Sequence, residues 1–190
     1  SHQSVKQQRV QGHVSKDPDI LDFQTIKKAS MTKLTEFTVS AAKPLPVIIL
    51  ADTSGSMSVN GKIDALNLAL SDMIASFADQ PEGRAEIHVS VITFGKEAKV
   101  HTELAPAIES SFIPLEAKGM TPLGGALELA RELIEDKAKV PSRAYIPTIV
   151  LISDGLPNDD WEASLDRLHK SERGRKAQRF ALGVGEDADA

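Results

Sequence analysis

The sequence has 190 residues, 41% of them hydrophobic but only 4% aromatic, and a formal net charge of −5. Such a length supports one domain with some extension, and a core of Ile, Leu, Val and Ala suits helices on a parallel sheet better than a β-sandwich. The acidic balance, with Lys and Arg scattered, argues against a general nucleic-acid binder, and the lack of cysteine excludes disulfides, thiolate metal sites and cysteine nucleophiles.

Residues 1–33 are polar and aperiodic until Leu21, Phe23 and Ile26, and read as an N-terminal extension. No signal-peptide core is visible there, and no apolar run approaches the roughly 18 residues of a membrane span, so a cytoplasmic protein is expected. The domain proper is placed at 34–190. Its first segment, LTEFTVSAAKPLP, alternates weakly, and Pro44 and Pro46 are expected to end it before a first strand at 47–51, VIILA. Ile63, Leu66, Leu70, Ile74 and Phe77 recur at spacings of three and four and predict a helix over 61–79. EIHVSVITF (86–94) reads as a second strand, and Gly95 opens a tight connection to AKVHTEL (98–104), an antiparallel edge strand. A second helix is expected from Thr121-Pro122 to about Lys139, with Leu123, Leu127, Ala130 and Ile134 inward. TIVLISDG (148–155) is another buried strand. A third helix is expected over 159–174, DDWEASLDRLHKSERG, with Asp159 and Glu162 spaced as a capping box and Trp161, Leu165 and Leu168 on one face. RFALGVG (179–185) closes the series. Strands alternating with helices predict an α/β, Rossmann-like doubly wound fold: a mostly parallel sheet, one antiparallel edge strand, and helices on both faces.

Two of the buried strands end in an acid, Asp52 and Asp154. In an open parallel sheet, ligands bind beyond the carboxyl ends of the strands where the connections diverge, so neighbouring strands would put both acids in one crevice. Two close carboxylates need a proton or a cation between them. Ser54 and Ser56 alternate with Asp52 in DTSGS and add hard neutral oxygens, which suit Mg²⁺ or Mn²⁺. Thr121, in GMTPLGG, offers a fifth oxygen, although a Thr before Pro at a helix start is by itself the pattern of an N-cap.

These five positions resemble the metal-ion-dependent adhesion site of the von Willebrand factor A family, written D-x-S-x-S with a separate Thr and a separate Asp. The resemblance spans about 44–187. Within the family the stretches GMTPLGGALELA, LISDGLPNDDW and FALGVGEDAD are similar to the bacterial TerY-like subgroup associated with tellurite resistance, which is linked in general to protein kinase and phosphatase partners. Family members usually add a further strand and a helix after this point, so the domain is expected to be short at its C-terminal end. The resemblance implies a binding module. Five side chains leave a sixth octahedral position, which suits an Asp or Glu of a partner protein. The alternative is a metal-assisted hydrolase. Against it, the motif region shows no His, Lys or Tyr to act as a base, and neither a G-x-S-x-G elbow nor a phosphate loop occurs. His88, His101 and His169 read as surface or packing residues, and His2 and His13 lie in the extension. No catalytic residue and no organic cofactor is expected, nor a nucleic-acid or membrane partner.

Overall fold

In the computed structural model the described residues are 41–81, 83 and 85–185. The extension expected over 1–33 and most of the lead-in lie outside them. Strands β1 (Lys43–Asp52), β2 (Ala85–Phe94), β3 (Ala98–Pro106), β4 (Thr148–Ser153) and β5 (Gln178–Gly183) alternate with helices α1 (Lys62–Ala78), α2 (Leu123–Glu135) and α3 (Trp161–Lys170). The order across the sheet is β3-β2-β1-β4-β5, and every neighbouring pair is parallel except β2 with β3. The expected doubly wound architecture, with an antiparallel edge, is therefore the one observed.

The continuous aliphatic run of β1 follows from its central place, because successive side chains point to opposite faces and both faces are covered. Val47, Ile49 and Ala51 pack with Leu66, Leu70 and Ile74 of α1, while Ile48 and Leu50 pack with Leu127 and Ile134 of α2 and Leu168 of α3. Burial of each such side chain is worth about 1.5–3 kcal/mol relative to exposure. The helical stripes read from the sequence all face these two cores, with Ile63, Phe77, Trp161 and Leu165 half-buried at their margins.

Several boundaries differ from expectation, among them that of α3, which ends at Lys170 and not at 174. β1 starts at Lys43 and runs through Pro44 and Pro46 rather than after them. Its pairing with β4 begins only at Val47, and the Pro44 carbonyl, on that same side, accepts the Tyr145 N–H at 2.8 Å. A residue's N–H and C=O point the same way in a strand, so both prolines lack a donor where no ladder bond to β4 is required. Helix α2 stops at Glu135, short of Lys139, because Asp136 Oδ1 accepts the Ala138 N–H at 2.8 Å and turns the chain. The Asp159–Glu162 capping box does not form: Asp160 precedes α3 without a side-chain cap, and Asp159 is drawn to α2, where Oδ2 accepts the Gly124 N–H at 2.7 Å.

Candidate metal centre

Because β1 and β4 are parallel neighbours with Ala51 opposite Ile152, Asp52 and Asp154 emerge into one crevice at the carboxyl end of the sheet. Both are buried, Asp52 fully and Asp154 to within 7%. Their oxygens are satisfied by different donors. Asp52 Oδ1 accepts the Ser54 N–H at 2.8 Å, and Oδ2 accepts the Ser153 hydroxyl at 2.6 Å. Asp154 Oδ1 accepts the Ser56 hydroxyl at 2.8 Å, and Oδ2 takes the Lys62 ammonium at 2.9 Å. The Ser54 and Ser56 hydroxyls lie 2.9 Å apart. Ser54 thus meets the first acid through its amide, and its hydroxyl leads through that of Ser56 to the second acid.

Thr121 arrives through its backbone. Its N–H donates to Asn158 Oδ1 at 3.0 Å and its carbonyl accepts the Asn158 N–H at 3.2 Å, so the loop after β4 holds it directly. On the other side, Gly55 N–H donates to the Gly119 carbonyl at 2.9 Å, Lys118 N–H to Thr53 O at 2.6 Å, and Met120 N–H to Gly95 O at 3.1 Å. Gly119 permits this approach: its φ is +94°, and a Cβ there would lie 2.6 Å from the Lys96 backbone. Four loops, after β1, after β2, before α2 and after β4, are therefore stitched together by main-chain bonds. The N-cap role suggested for Thr121 is not taken up, since the residue preceding α2 is Pro122 and no side-chain cap is made from this loop. Asp159 supplies that cap instead.

Lys62 is the residue that sequence reasoning missed, and it corrects the statement that the motif region holds no lysine. It lies six positions after Ser56 and reaches back to Asp154, with side chains only 15% and 2% exposed. A signal existed: Lys62 is the first residue of α1, the helix end where the dipole favours anions, so a lysine there needs a carboxylate partner. Among the described residues, the histidines lie outside the cluster. His88 donates to Glu86 at 2.6 Å, His101 to the Ile113 carbonyl at 2.8 Å, and His169 lies in the last turn of α3.

Among the described residues no three His, Cys, Asp or Glu side chains come together. The donor set is two carboxylates and two hydroxyls, hard oxygens that fit Mg²⁺ or Mn²⁺ and not a soft metal.

Comparison with known proteins follows the same lines. The family model described as von Willebrand factor type A domain matches residues 47–156, and no curated protein matches. Among solved structures, the manganese-loaded TRAP protein of Plasmodium vivax superposes with a TM-score of 0.59 at 18% identity over 77% of this chain and 59% of that one. A von Willebrand factor type A protein from Catenulispora acidiphila gives 0.57 at 22% identity over 77% of this chain and 34% of that one. Proximal thread matrix protein 1 of the mussel byssus gives 0.58 at 19% identity over 76% and 39%. The chain thus spans less than two thirds of each of these proteins, and at such identities the likeness is one of fold.

Proposed function

The chain belongs to the von Willebrand factor type A domain family, and from that premise we propose that it is a metal-dependent protein-interaction module. Asp52, Ser54, Ser56 and Asp154 would hold one Mg²⁺ or Mn²⁺, with Thr121 contributing from the stitched third loop. The metal would supply a positive charge only partly neutralised by its ligands, and a partner's Asp or Glu would be the favourable sixth ligand. The observation that carries this reading is the cluster of two buried acids around two serines: Asp52 accepts the Ser54 amide N–H, the Ser54 and Ser56 hydroxyls lie 2.9 Å apart, and Asp154 accepts the Ser56 hydroxyl. Asp52→Ala should abolish metal binding and leave the fold intact, because it removes a ligand and a buried charge together. Calorimetric titration with Mg²⁺ and Mn²⁺ checks this, and unchanged affinity in the variant would sink the reading.

The module is read as non-enzymatic. Lys62, which reaches the crevice, has its ammonium engaged by Asp154 and supplies no free base. Turnover of phosphoesters, peptides or esters that vanishes in Asp154→Ala would promote the metal-assisted hydrolase instead. The similarity of GMTPLGGALELA and LISDGLPNDDW to the TerY-like subgroup supports a narrower setting, a bacterial cytoplasmic tellurite-response system with a protein kinase or phosphatase as partner. Pull-down with and without chelator tests that setting.

A further inference from the structure

Lys62 stands where a metal-site account has no use for it. Its Nζ is 2.9 Å from Oδ2 of Asp154, and the carboxylate is almost wholly buried. The partners of the other acid of the crevice, Asp52, among the described residues are dipolar: the Ser54 amide and the Ser153 hydroxyl. Two carboxylates and one ammonium leave the crevice with a formal charge of −1. A divalent cation added while the ammonium stays would bring it to +1, with two cations crowded on Asp154; added with the ammonium withdrawn, it would bring it to zero. Coulomb repulsion between like charges a few ångströms apart in a partly buried site is large, which favours the second arrangement.

The lysine is also free to leave. It is the first residue of α1, so its side chain starts at the rim rather than inside the core. Its stem passes Gly185, where a Cβ would stand 2.9 Å from Lys62 Cε, and that glycine keeps the passage open. Four methylenes allow the ammonium to move to solvent without moving the helix.

We infer that Lys62 is a tethered counter-ion of the metal site: its ammonium satisfies Asp154 while the metal is away, and it competes with the metal for that carboxylate. The inference rests on the metal-site reading above and adds that the chain carries its own inhibitor of metal binding. Metal affinity is thereby set lower than the oxygen donors alone would give, and the empty site is kept from holding an unpaired buried acid.

The test compares wild type, Lys62→Met and Lys62→Arg by calorimetric Mg²⁺ and Mn²⁺ titration and by thermal unfolding with chelator or with metal. Lys62→Met keeps the stem and deletes the charge. It should unfold at a lower temperature than wild type in chelator, bind metal at least about tenfold more tightly, which is roughly 1.4 kcal/mol, and recover most of its lost stability when metal is added. Lys62→Arg, which keeps the charge, should stay close to wild type in metal affinity. Weaker or unchanged metal binding in Lys62→Met, or the same loss of stability with and without metal, overturns the inference and makes Lys62 a strut for Asp154. If neither wild type nor Lys62→Met responds to metal, the metal-site reading falls, and this inference falls with it.

Discussion

Thr121 is fixed by its main chain and left with its hydroxyl unspent on the helix behind it, which separates two roles that the sequence pattern merges. Because Asp159 caps α2 by accepting the Gly124 N–H at 2.7 Å, removing the Thr121 hydroxyl should scarcely touch stability. Thr121→Val is expected to cost less than about 0.5 kcal/mol, as surface substitutions usually do, while weakening metal-dependent partner binding at least about tenfold. Asp159→Ala should do the reverse, costing about 0.5–2 kcal/mol of stability as a lost cap. Urea unfolding and metal-dependent pull-down of both variants check the pair; a valine variant that loses stability and binds normally would return Thr121 to a capping role. The strand-end acids and the serines beside them were legible in the sequence because a buried strand that stops on Asp is a rare and local signal. Lys62 and Asp159 were not, since their partners are set by which loops the finished sheet brings together. The Lys62–Asp154 contact spans 92 positions and the Gly124–Asp159 contact 35.

At the scale of elements, α2 and α3 share one face of the sheet and are tied at their surface by Glu128. Its carboxylate accepts from Arg167 of α3 and from Arg131 on its own helix. Burial pushes Glu128 upward, but the hydrogen bonds and charges of Arg167 and Arg131 outweigh it and hold the group below its ordinary 4.5. A carboxyl lowered in the folded state contributes stability that is fully present above its unfolded value and is lost as pH falls through the folded one. Glu128→Gln should therefore lose about 0.2–1 kcal/mol near neutral pH, the range of partly exposed pairs. The gap to wild type should close as the pH falls below 4.5. Urea midpoints measured across that range test it, and a gap independent of pH would mean the glutamate acts by packing alone. Helices and strands were readable here because their apolar spacings are strong and regular. Their ends were less so: Pro44 and Pro46 look like breakers until it is known that β4 begins opposite Val47, which is a fact of sheet topology and not of local sequence.

For the molecule as a whole, the crevice is where both halves of the sheet meet. The chain leaves β1 toward β2 on one side and β4 lies on the other, so Asp52 and Asp154 come together only when β1 has paired with β4 in a register that sets Ala51 opposite Ile152, 101 positions away. The loops at Gly55, Gly95, Gly119 and Asn158 are bonded to one another only in that assembled state. A ligand of the crevice binds the folded chain and not the unfolded one, and stabilises it by mass action. At a metal concentration about 100 times its dissociation constant, this amounts to about 2.7 kcal/mol. For a domain of this size, that corresponds to a rise of roughly 5–10 °C in the unfolding midpoint. The rise should be reversed by chelator and absent in Asp52→Ala. It should also appear in one cooperative transition, since β1, β4, α1 and the α2 loop all lean on the same crevice. Differential scanning calorimetry with and without Mg²⁺ is the measurement. A midpoint that rises equally in Asp52→Ala would place the bound ion elsewhere on this acidic chain and separate metal stabilisation from the crevice.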